Sequence, residues 1–204
     1  MTVPLEPTVP AEPAEPAELP VTPTSPLSPA QRALADAVVD VEQHVASTGW
    51  DAPTRVLALV STQAALAADP DLAGVLPPAT VEAALADPTH LTSVEQDDLP
   101  DSGSLEDLLA SIIWPETVSG AAVVVERIIL PPSAEADIPD DPTAALAFLA
   151  EHPDRQDVRM AVGVLRDGGS WCALRTRAND SDADVATGMS LVPGLIEALR
   201  STFV

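Results

Sequence analysis

Near the carboxyl terminus, two β-strand segments joined by a short turn limit the folds open to this chain. VRMAVGVL at 158–165 and SWCALRTR at 170–177 are rich in β-branched and apolar residues, and Asp167–Gly169 provide a turn between them. Strands joined by so short a connection pair antiparallel. Because helical patterns alternate with the other strand segments, we predict an α+β fold: a twisted, mainly antiparallel sheet of about five strands flanked by helices, with a C-terminal hairpin and a C-terminal helix.

The other elements follow from capping residues and hydrophobic spacing. Ser28 and Gln31 form a capping box around Pro29, which suits the first position of a helix, so the first helix is predicted at 29–48. Further helices are predicted at 63–75, 79–86, 104–113, 143–152 and 191–203, and further strands at 55–61, 91–96 and 121–130.

Residues 1–27 differ in composition from the rest of the chain. Pro recurs at every third residue from Pro4 to Pro16, with Glu interleaved and few apolar side chains to bury. We predict a disordered Pro/Glu-rich tail with polyproline II character, either a solubilising segment or a ligand for a proline-recognition module. Residues 28–204 are then predicted to form a single α+β domain.

The charge balance limits the classes of partner. The 204 residues carry 32 acidic and 9 basic side chains, a formal net charge of -23. This excess repels phosphate backbones and anionic membrane surfaces, so we expect no direct nucleic acid, no membrane and, instead, another protein as partner. The amino terminus has no signal-peptide pattern, and we predict a cytoplasmic protein. The sequence indicates no particular oligomeric state.

The composition also removes several catalytic chemistries. All nine basic residues are Arg, so there is no lysine for a Walker A motif, a Schiff base or a Ser-x-x-Lys pair. The single cysteine, Cys172, excludes an intrachain disulfide and a multi-thiolate zinc site. We predict no catalytic residues, no cofactor and no metal. Asp180, Asp182 and Asp184 resemble the start of a calcium loop, but Val185 and Leu191 stand where such a loop needs Gly and Glu.

The register of the C-terminal hairpin decides which side chains share a face. A three-residue loop at Asp167–Gly169 pairs Val164 with Cys172 and Val162 with Leu174, which gives one coherent apolar face. A two-residue turn would mix charged side chains into that face. We therefore predict the three-residue loop and a Cys172 buried in the core, rather than a nucleophile.

The opposite face of the hairpin then collects basic residues. Arg159, Arg175 and Arg177 fall together, and Arg127 on a neighbouring strand is a possible fourth member. Guanidinium groups suit carboxylate or phosphate recognition, which predicts a groove for an acidic peptide or a small anion. The alternative is that these residues pair internally with Asp and Glu of the covering helices and loops.

Tryptophan is scarce, so each side chain needs an assignment. Trp50 follows the first helix, and Trp114 precedes Pro115 at the end of another. Exposed tryptophans anchor protein partners, whereas the alternative is a ring wedged under a loop. We predict both as candidate partner anchors, with the internal role left open.

The chain resembles one protein family in sequence and one known fold in the order of its elements. The strings GWDAPTRVLALV, LTSVEQ, VVVERIILPP and HPDR followed by VGVLRDG resemble an uncharacterised family of small acidic actinobacterial proteins, which brings no assigned activity or site. The order of elements over about 30–203 also resembles the type III secretion chaperone fold, in which helices flank a twisted antiparallel sheet. The second resemblance is topological and implies only a fold.

These observations predict a non-enzymatic protein-binding or adaptor protein, chaperone-like, that contacts its partner through the sheet. The alternatives are an enzyme with an unrecognised carboxylate-based site and an acidic decoy for a nucleic-acid-binding protein. An open, Arg-lined sheet face favours binding, and a face sealed by helices favours a structural role. A deep pocket that holds two carboxylates favours an enzyme.

Overall fold

A computed structural model describes residues 26–97, 99–100, 102–135 and 137–203. These residues contain one open antiparallel sheet of six strands with helices on both faces, which confirms the predicted α+β class. The strands are β1 (Arg55–Ser61), β2 (Leu91–Glu95), β3 (Val118–Ile129), β4 (Gln156–Leu165), β5 (Ser170–Thr176) and β6 (Ala186–Gly188). The helices are α1 (Pro29–Ala46), α2 (Thr62–Ala68), α3 (Pro78–Ala86), α4 (Leu105–Ala110), α5 (Pro132–Glu135), α6 (Pro142–Glu151) and α7 (Pro193–Arg200).

The strands follow the spatial order β2-β1-β3-β4-β5-β6, and every neighbouring pair is antiparallel. α1 packs on one side of the sheet, which we call the α1 face. α7, together with α4, packs on the other side, the α7 face. The predicted tail lies outside the described residues except for Pro26 and Leu27. Among the described residues, no helix has the length and apolar character needed to cross a membrane.

The predicted capping box starts α1. The Ser28 hydroxyl accepts a hydrogen bond from the Gln31 backbone N–H at 3.2 Å, and the Ser28 N–H donates to the Gln31 side chain at 3.2 Å. The helix buries its apolar stripe against β4 and β5. A Cβ atom added to Gly163 would lie 2.4 Å from Val38, so glycine at this position permits the close approach of α1 to the sheet.

The C-terminal hairpin is present, but its partners differ from the prediction. Val162 pairs with Cys172 rather than with Leu174, because the three-residue loop is Arg166–Gly168. Gly168 takes the left-handed conformation of this loop at a φ of 103°. The difference between the two registers is two residues, and a shift of two leaves every side chain on its face. The predicted faces are therefore correct even though the predicted pairs are wrong.

The α7 face is apolar along β4 and β5. Val158, Val162, Val164 and Cys172 are each at most 4% exposed, and they pack in one cluster with Leu199 of α7. Cys172 is thus a core residue, as predicted. Its burial raises the pKa of the thiol.

Two segments depart from the predicted elements. β6 is a sixth strand of only three residues, too short to show a strand pattern in the sequence. The helix predicted at 63–75 is divided into α2 and a 3₁₀ turn at Pro70–Gly74, because Pro70 cannot donate the backbone hydrogen bond that a continuing helix needs.

Candidate functional site

The α1 face contains a group of charged side chains beneath the helix, which we call the Arg–Glu cluster: Glu42, Glu126, Arg159 and Arg175. Arg159 and Arg175 lie directly opposite each other on β4 and β5, at 0% and 2% exposure. Glu42 projects from α1 between them and is 1% exposed. Its carboxylate accepts two hydrogen bonds from Arg175, at 2.7 and 2.8 Å, in the bidentate arrangement that gives the strongest ion pairs.

The second arginine of the cluster has different partners. Arg159 donates to the Glu126 carboxylate at 2.9 and 3.2 Å and to the backbone carbonyl of Gly49, while its nearest approach to Glu42 is 3.9 Å. Glu126 lies opposite Arg159 on β3, which explains the short contact. The cluster therefore joins α1, β3, β4 and β5 through two buried guanidinium groups.

Carboxylates of the loop after β5 cover the outer side of Arg175. Asp182 accepts a hydrogen bond from Arg175 at 2.6 Å and Asp180 accepts one at 3.3 Å. The hydrogen bonds that Arg175 donates to Glu42 and then to Asp182 raise the pKa of Arg175 above its usual value. The acidic loop thus serves as a counterion for an arginine of the sheet.

Trp50 covers the cluster rather than projecting as an anchor. The guanidinium carbon of Arg159 lies 4.3 Å from the centre of the Trp50 ring and that of Arg177 lies 5.0 Å from it, both in the range of cation–π contacts. The indole N–H donates to Asp180 at 2.8 Å, and this bond is the main cause of the lowered pKa of Asp180. Trp50 is half-buried, and the contacts described here are all with residues of its own chain.

Three of the four arginines that were predicted to share a face do lie on one face of the sheet. Arg177 lies at the edge of the cluster, pairs with Asp51 at 2.7 Å and keeps 37% of its side chain exposed. Arg127 does not share this face, because it pairs with Val158 of β4, which faces α7, whereas its neighbour Glu126 pairs with Arg159. The three arginines that share the face each form ion pairs with carboxylates of the domain.

A polar cavity of about 320 Å³ adjoins the cluster. Its charged lining consists of three arginines and three carboxylates: Arg127, Arg155, Arg177, Asp51, Glu126 and Asp157. These charges balance, so the cavity has no excess positive charge to attract an anion. Asp157 also pairs with Arg155 at 3.6 Å and with Arg177 at 3.7 Å.

We also searched the described residues for metal-ligand groups and for an activated cysteine. In the described part of the chain, no group of three or more His, Cys, Asp or Glu side chains is arranged to hold a metal ion. Cys172 lies on the α7 face with a raised thiol pKa, the opposite of what a thiolate nucleophile needs. The geometry of the Arg–Glu cluster is that of a structural ion network.

Trp114, the second candidate anchor, is also internal. It is 8% exposed, donates its indole N–H to the Thr202 hydroxyl at 2.8 Å and stacks on Phe203 at a ring separation of 6.3 Å. These contacts fix the end of the chain beyond α7 against the α7 face. Trp114 has the contacts of a packing residue.

Sequence reasoning missed Glu42, the residue that closes the cluster. The signal was present, because Glu42 lies four residues after Val38 and three before Val45 on the buried stripe of α1. A carboxylate on such a stripe requires a buried cation. The three arginines of the hairpin were the available cations.

The surfaces of α6 and β2, which lie outside the cluster, are open. α6 has no buried residue, and its Leu146 is 68% exposed. β2 is an outer strand of the sheet with no buried residue, and its Val94 is 47% exposed. Helices cover both sheet faces, whereas these two elements are accessible for contacts.

The fold and this internal ion network define an α+β protein whose antiparallel sheet is covered on both faces. A family model matches residues 34–204, and the chain belongs to the PPA1309-like protein family. No curated protein and no solved structure matches the chain.

Proposed function

We propose that this protein is a non-enzymatic protein-binding or adaptor protein and that α6 is a contact surface for its partner. The observation that carries the proposal is the exposure of an apolar helix. Residues 144–150 are seven consecutive Ala, Leu and Phe residues, and none of them is buried. A helix that is apolar all round is normally found inside a protein, so this one is suited to burial against another chain.

The charges around α6 indicate the kind of partner. Asp140 and Asp141 precede the helix, and Glu151 and Asp154 end it or follow it. This acidic border, on a chain of net charge -23, disfavours an anionic bilayer and a second copy of the same chain. The best fit is a partner protein with an apolar groove bordered by basic side chains, the helix-in-groove mode of recognition.

The Arg-bearing face does not support binding to an external acidic ligand. Its two buried arginines already have carboxylate partners, and α1 covers them. The sheet flanked by helices remains compatible with the type III secretion chaperone resemblance, which concerns the fold alone. The lone buried thiol and the Arg-without-Lys usage support the cytoplasm of an actinobacterium as the source compartment.

The test replaces Leu146 by Gln, which keeps side-chain length and helix propensity but removes apolar contact. The matched control is Leu85→Gln, because Leu85 lies on α3 and is 74% exposed. Partners are recovered from the native cell by affinity purification, identified by mass spectrometry, purified and titrated against each variant.

We expect Leu146→Gln to lower the affinity for the purified partner by at least about tenfold, a loss of roughly 1.4 kcal/mol in binding free energy. Leu85→Gln should have little effect on this affinity. Added salt should weaken the parent complex if the partner is basic. Equal affinities for Leu146→Gln and the parent would exclude α6 as the contact surface.

A further inference from the structure

The backbone of β2 has one side without a partner strand. Gln96 N–H donates to the Val56 carbonyl at 2.9 Å and Thr62 N–H donates to the His90 carbonyl at 3.1 Å, which fixes the even-numbered residues of this segment as the ones bonded to β1. In an antiparallel pair the alternate residues point their N–H and C=O groups away. The outward-pointing groups belong to Leu91, Ser93 and Glu95, and the described residues provide no backbone partner for them.

This edge has only part of the protection that outer strands usually have, a single charged side chain at Glu95. Its sequence, LTSVE, contains no Lys and no Pro, and the register irregularity of the neighbouring β1 lies on its β3 side. Ser93, Val94 and Glu95 are exposed. At the other edge of the sheet, β6 has only three residues, so it offers a much shorter template.

Cavities adjoin both ends of β2. One of about 430 Å³ touches Leu91 and is lined by apolar residues such as Pro88 and Leu165, together with the charged Arg166 and Asp167. The second, of about 480 Å³, touches Glu95 and Asp97 and combines these carboxylates with apolar side chains such as Ile113, which is 86% exposed. Five residues of strand span about 17 Å, so one extended hexapeptide reaches from one cavity to the other.

We propose that β2 accepts an extended segment of a partner protein as a seventh strand of the sheet. The segment pairs antiparallel, as all described strands do, with a basic residue at its amino-terminal end beside Asp97, because Glu95 already pairs with Arg55 at 3.2 Å. β-Branched residues follow, and an apolar residue at the carboxyl-terminal end enters the cavity beside Leu91. Backbone pairing supplies affinity and the two cavities supply sequence preference.

Charge and backbone chemistry select this occupant. A second copy would bring a second acidic surface against the first, since the chain has 32 acidic and 9 basic residues. The Pro-rich segment of this chain, with Pro at every third residue from Pro4 to Pro16, lacks the N–H donors that a ladder requires. A basic segment of another protein satisfies both conditions.

This inference goes beyond the proposed function, because it uses a surface separate from α6. A protein with two independent binding surfaces is an adaptor in the strict sense. Leu146→Gln, which disables the α6 surface, should leave strand addition at β2 unchanged.

The test uses a fluorescent synthetic hexapeptide, Arg-Arg-Thr-Val-Thr-Leu, titrated against the full chain by fluorescence anisotropy. The reversed peptide, Leu-Thr-Val-Thr-Arg-Arg, has the same composition and charge and serves as the control for non-specific attraction. Ser93→Pro removes the outward N–H of Ser93 and leaves the pairing with β1 intact, whereas Ser93→Ala removes only the hydroxyl.

We expect the forward peptide to bind at least about tenfold more tightly than the reversed one, and Ser93→Pro to weaken it by at least about tenfold while Ser93→Ala binds like the parent. The proposal fails if forward and reversed peptides bind equally, or if Ser93→Pro folds and binds like Ser93→Ala. If Ser93→Pro unfolds, binding of N-methylated peptides to the parent chain tests the proposal instead. Methylation of the amides that face β2 should abolish binding and methylation of the others should not; equal binding by both would overturn strand addition.

Discussion

The two faces of the sheet are stabilised by different chemistry, although β4 and β5 contribute to both. On the α7 face, Val162, Val164 and Cys172 pack with apolar side chains of α7. On the α1 face, the same strands present Arg159 and Arg175 to Glu42 of the helix. Apolar packing is non-directional, whereas a bidentate ion pair fixes both distance and orientation.

This difference suggests separate roles for the two faces. Small residues at Ala161, Gly163 and Ala173 let α1 lie close to the sheet over the part of the face beyond the arginines. The Arg–Glu cluster then defines the position of the helix along the strands. We infer that the α7 face contributes mainly stability and that the α1 face contributes specificity of packing, a role known for buried ionic groups in some proteins.

Removal of the Glu42 charge should have the largest effect. Glu42→Gln leaves Arg175 without its bidentate carboxylate at a site where the arginine is 2% exposed. We expect a loss of about 3–5 kcal/mol in the free energy of unfolding, measured by urea denaturation. The control is Glu95→Gln, which breaks the partly exposed pair with Arg55 at 3.2 Å and should cost less than about 1 kcal/mol. Similar losses in both variants would contradict a special role for the cluster.

A paired replacement sharpens this result. Glu42→Leu combined with Arg175→Met removes both charges, so no buried ion loses its main partner. Apolar replacements of buried ion pairs are often neutral or stabilising, and we expect the double variant to recover most of the loss of Glu42→Gln. If the cluster positions α1, hydrogen exchange in the helix should become faster in the double variant even where its stability is restored.

On the α7 face, Val162→Ala should have an intermediate effect. Val162 is 0% exposed and lies opposite Cys172 in the hairpin, so the lost methyl groups leave a small cavity in the apolar core. We expect a cost of about 2 kcal/mol in the free energy of unfolding.

Because Cys172 is 0% exposed with a raised thiol pKa, a thiol reagent should label the native parent at least about a thousandfold more slowly than the unfolded chain.

Val162→Ala should raise this labelling rate by roughly thirtyfold, the factor that corresponds to about 2 kcal/mol when opening limits access. Rapid labelling of the native parent would show that Cys172 is accessible. It would also remove the contrast between a sealed apolar face and an ionic one.

Acid should weaken the contact of Asp180 with Trp50 and Arg175 at the edge of the Arg–Glu cluster. The hydrogen bond from Trp50 and the nearby Arg175 lower the pKa of Asp180, so this carboxylate contributes stability above its unfolded pKa of about 3.9. That contribution is lost as the pH falls through the lower folded value. Asp87, whose pKa is lowered by hydrogen bonds from Thr89, adds to the same window.

The measurement is the thermal midpoint of the parent and of Asp180→Asn between pH 6 and 2.5, the span around the ordinary Asp pKa of about 3.9. The parent should lose more stability on acidification than the variant, by a small amount because Asp180 is 47% exposed on its side chain. Identical pH profiles would show that Asp180 does not support the cluster.

Local patterns predicted much of this fold from the sequence. The capping box located the start of α1, and turn signals bounded the strand at 55–61, which has the same limits as β1. Alternation along the hairpin placed Arg159, Arg175 and Arg177 together, because side-chain direction depends on parity and not on the particular register.

Long-range geometry was harder to predict. The position of Arg127 depends on the β3–β4 register, which is set across a connection of some 26 residues rather than by a tight turn. The exposure of α6 was not predictable either, since a pattern of apolar residues indicates a helix but does not say what covers it. Glu42 combined both difficulties, because its partners lie on strands more than 100 residues away in sequence.

The smallest effect is expected from removal of residues 1–27, which precede the α1 face in the chain. The composition of this segment offers little apolar surface to bury. The capping box is contained in Ser28 and Gln31, so a chain that begins at Ser28 keeps the hydrogen bonds that start α1. We expect the free energy of unfolding to change by less than about 0.5 kcal/mol, and labelling of Cys172 to be unaffected. The contrary outcome is a truncated chain that melts well below the parent, with Glu42→Gln costing the same free energy of unfolding in the full and the truncated chain. The segment would then stabilise α1 from outside the Arg–Glu cluster, and the α1 face would depend on more than its ion pairs.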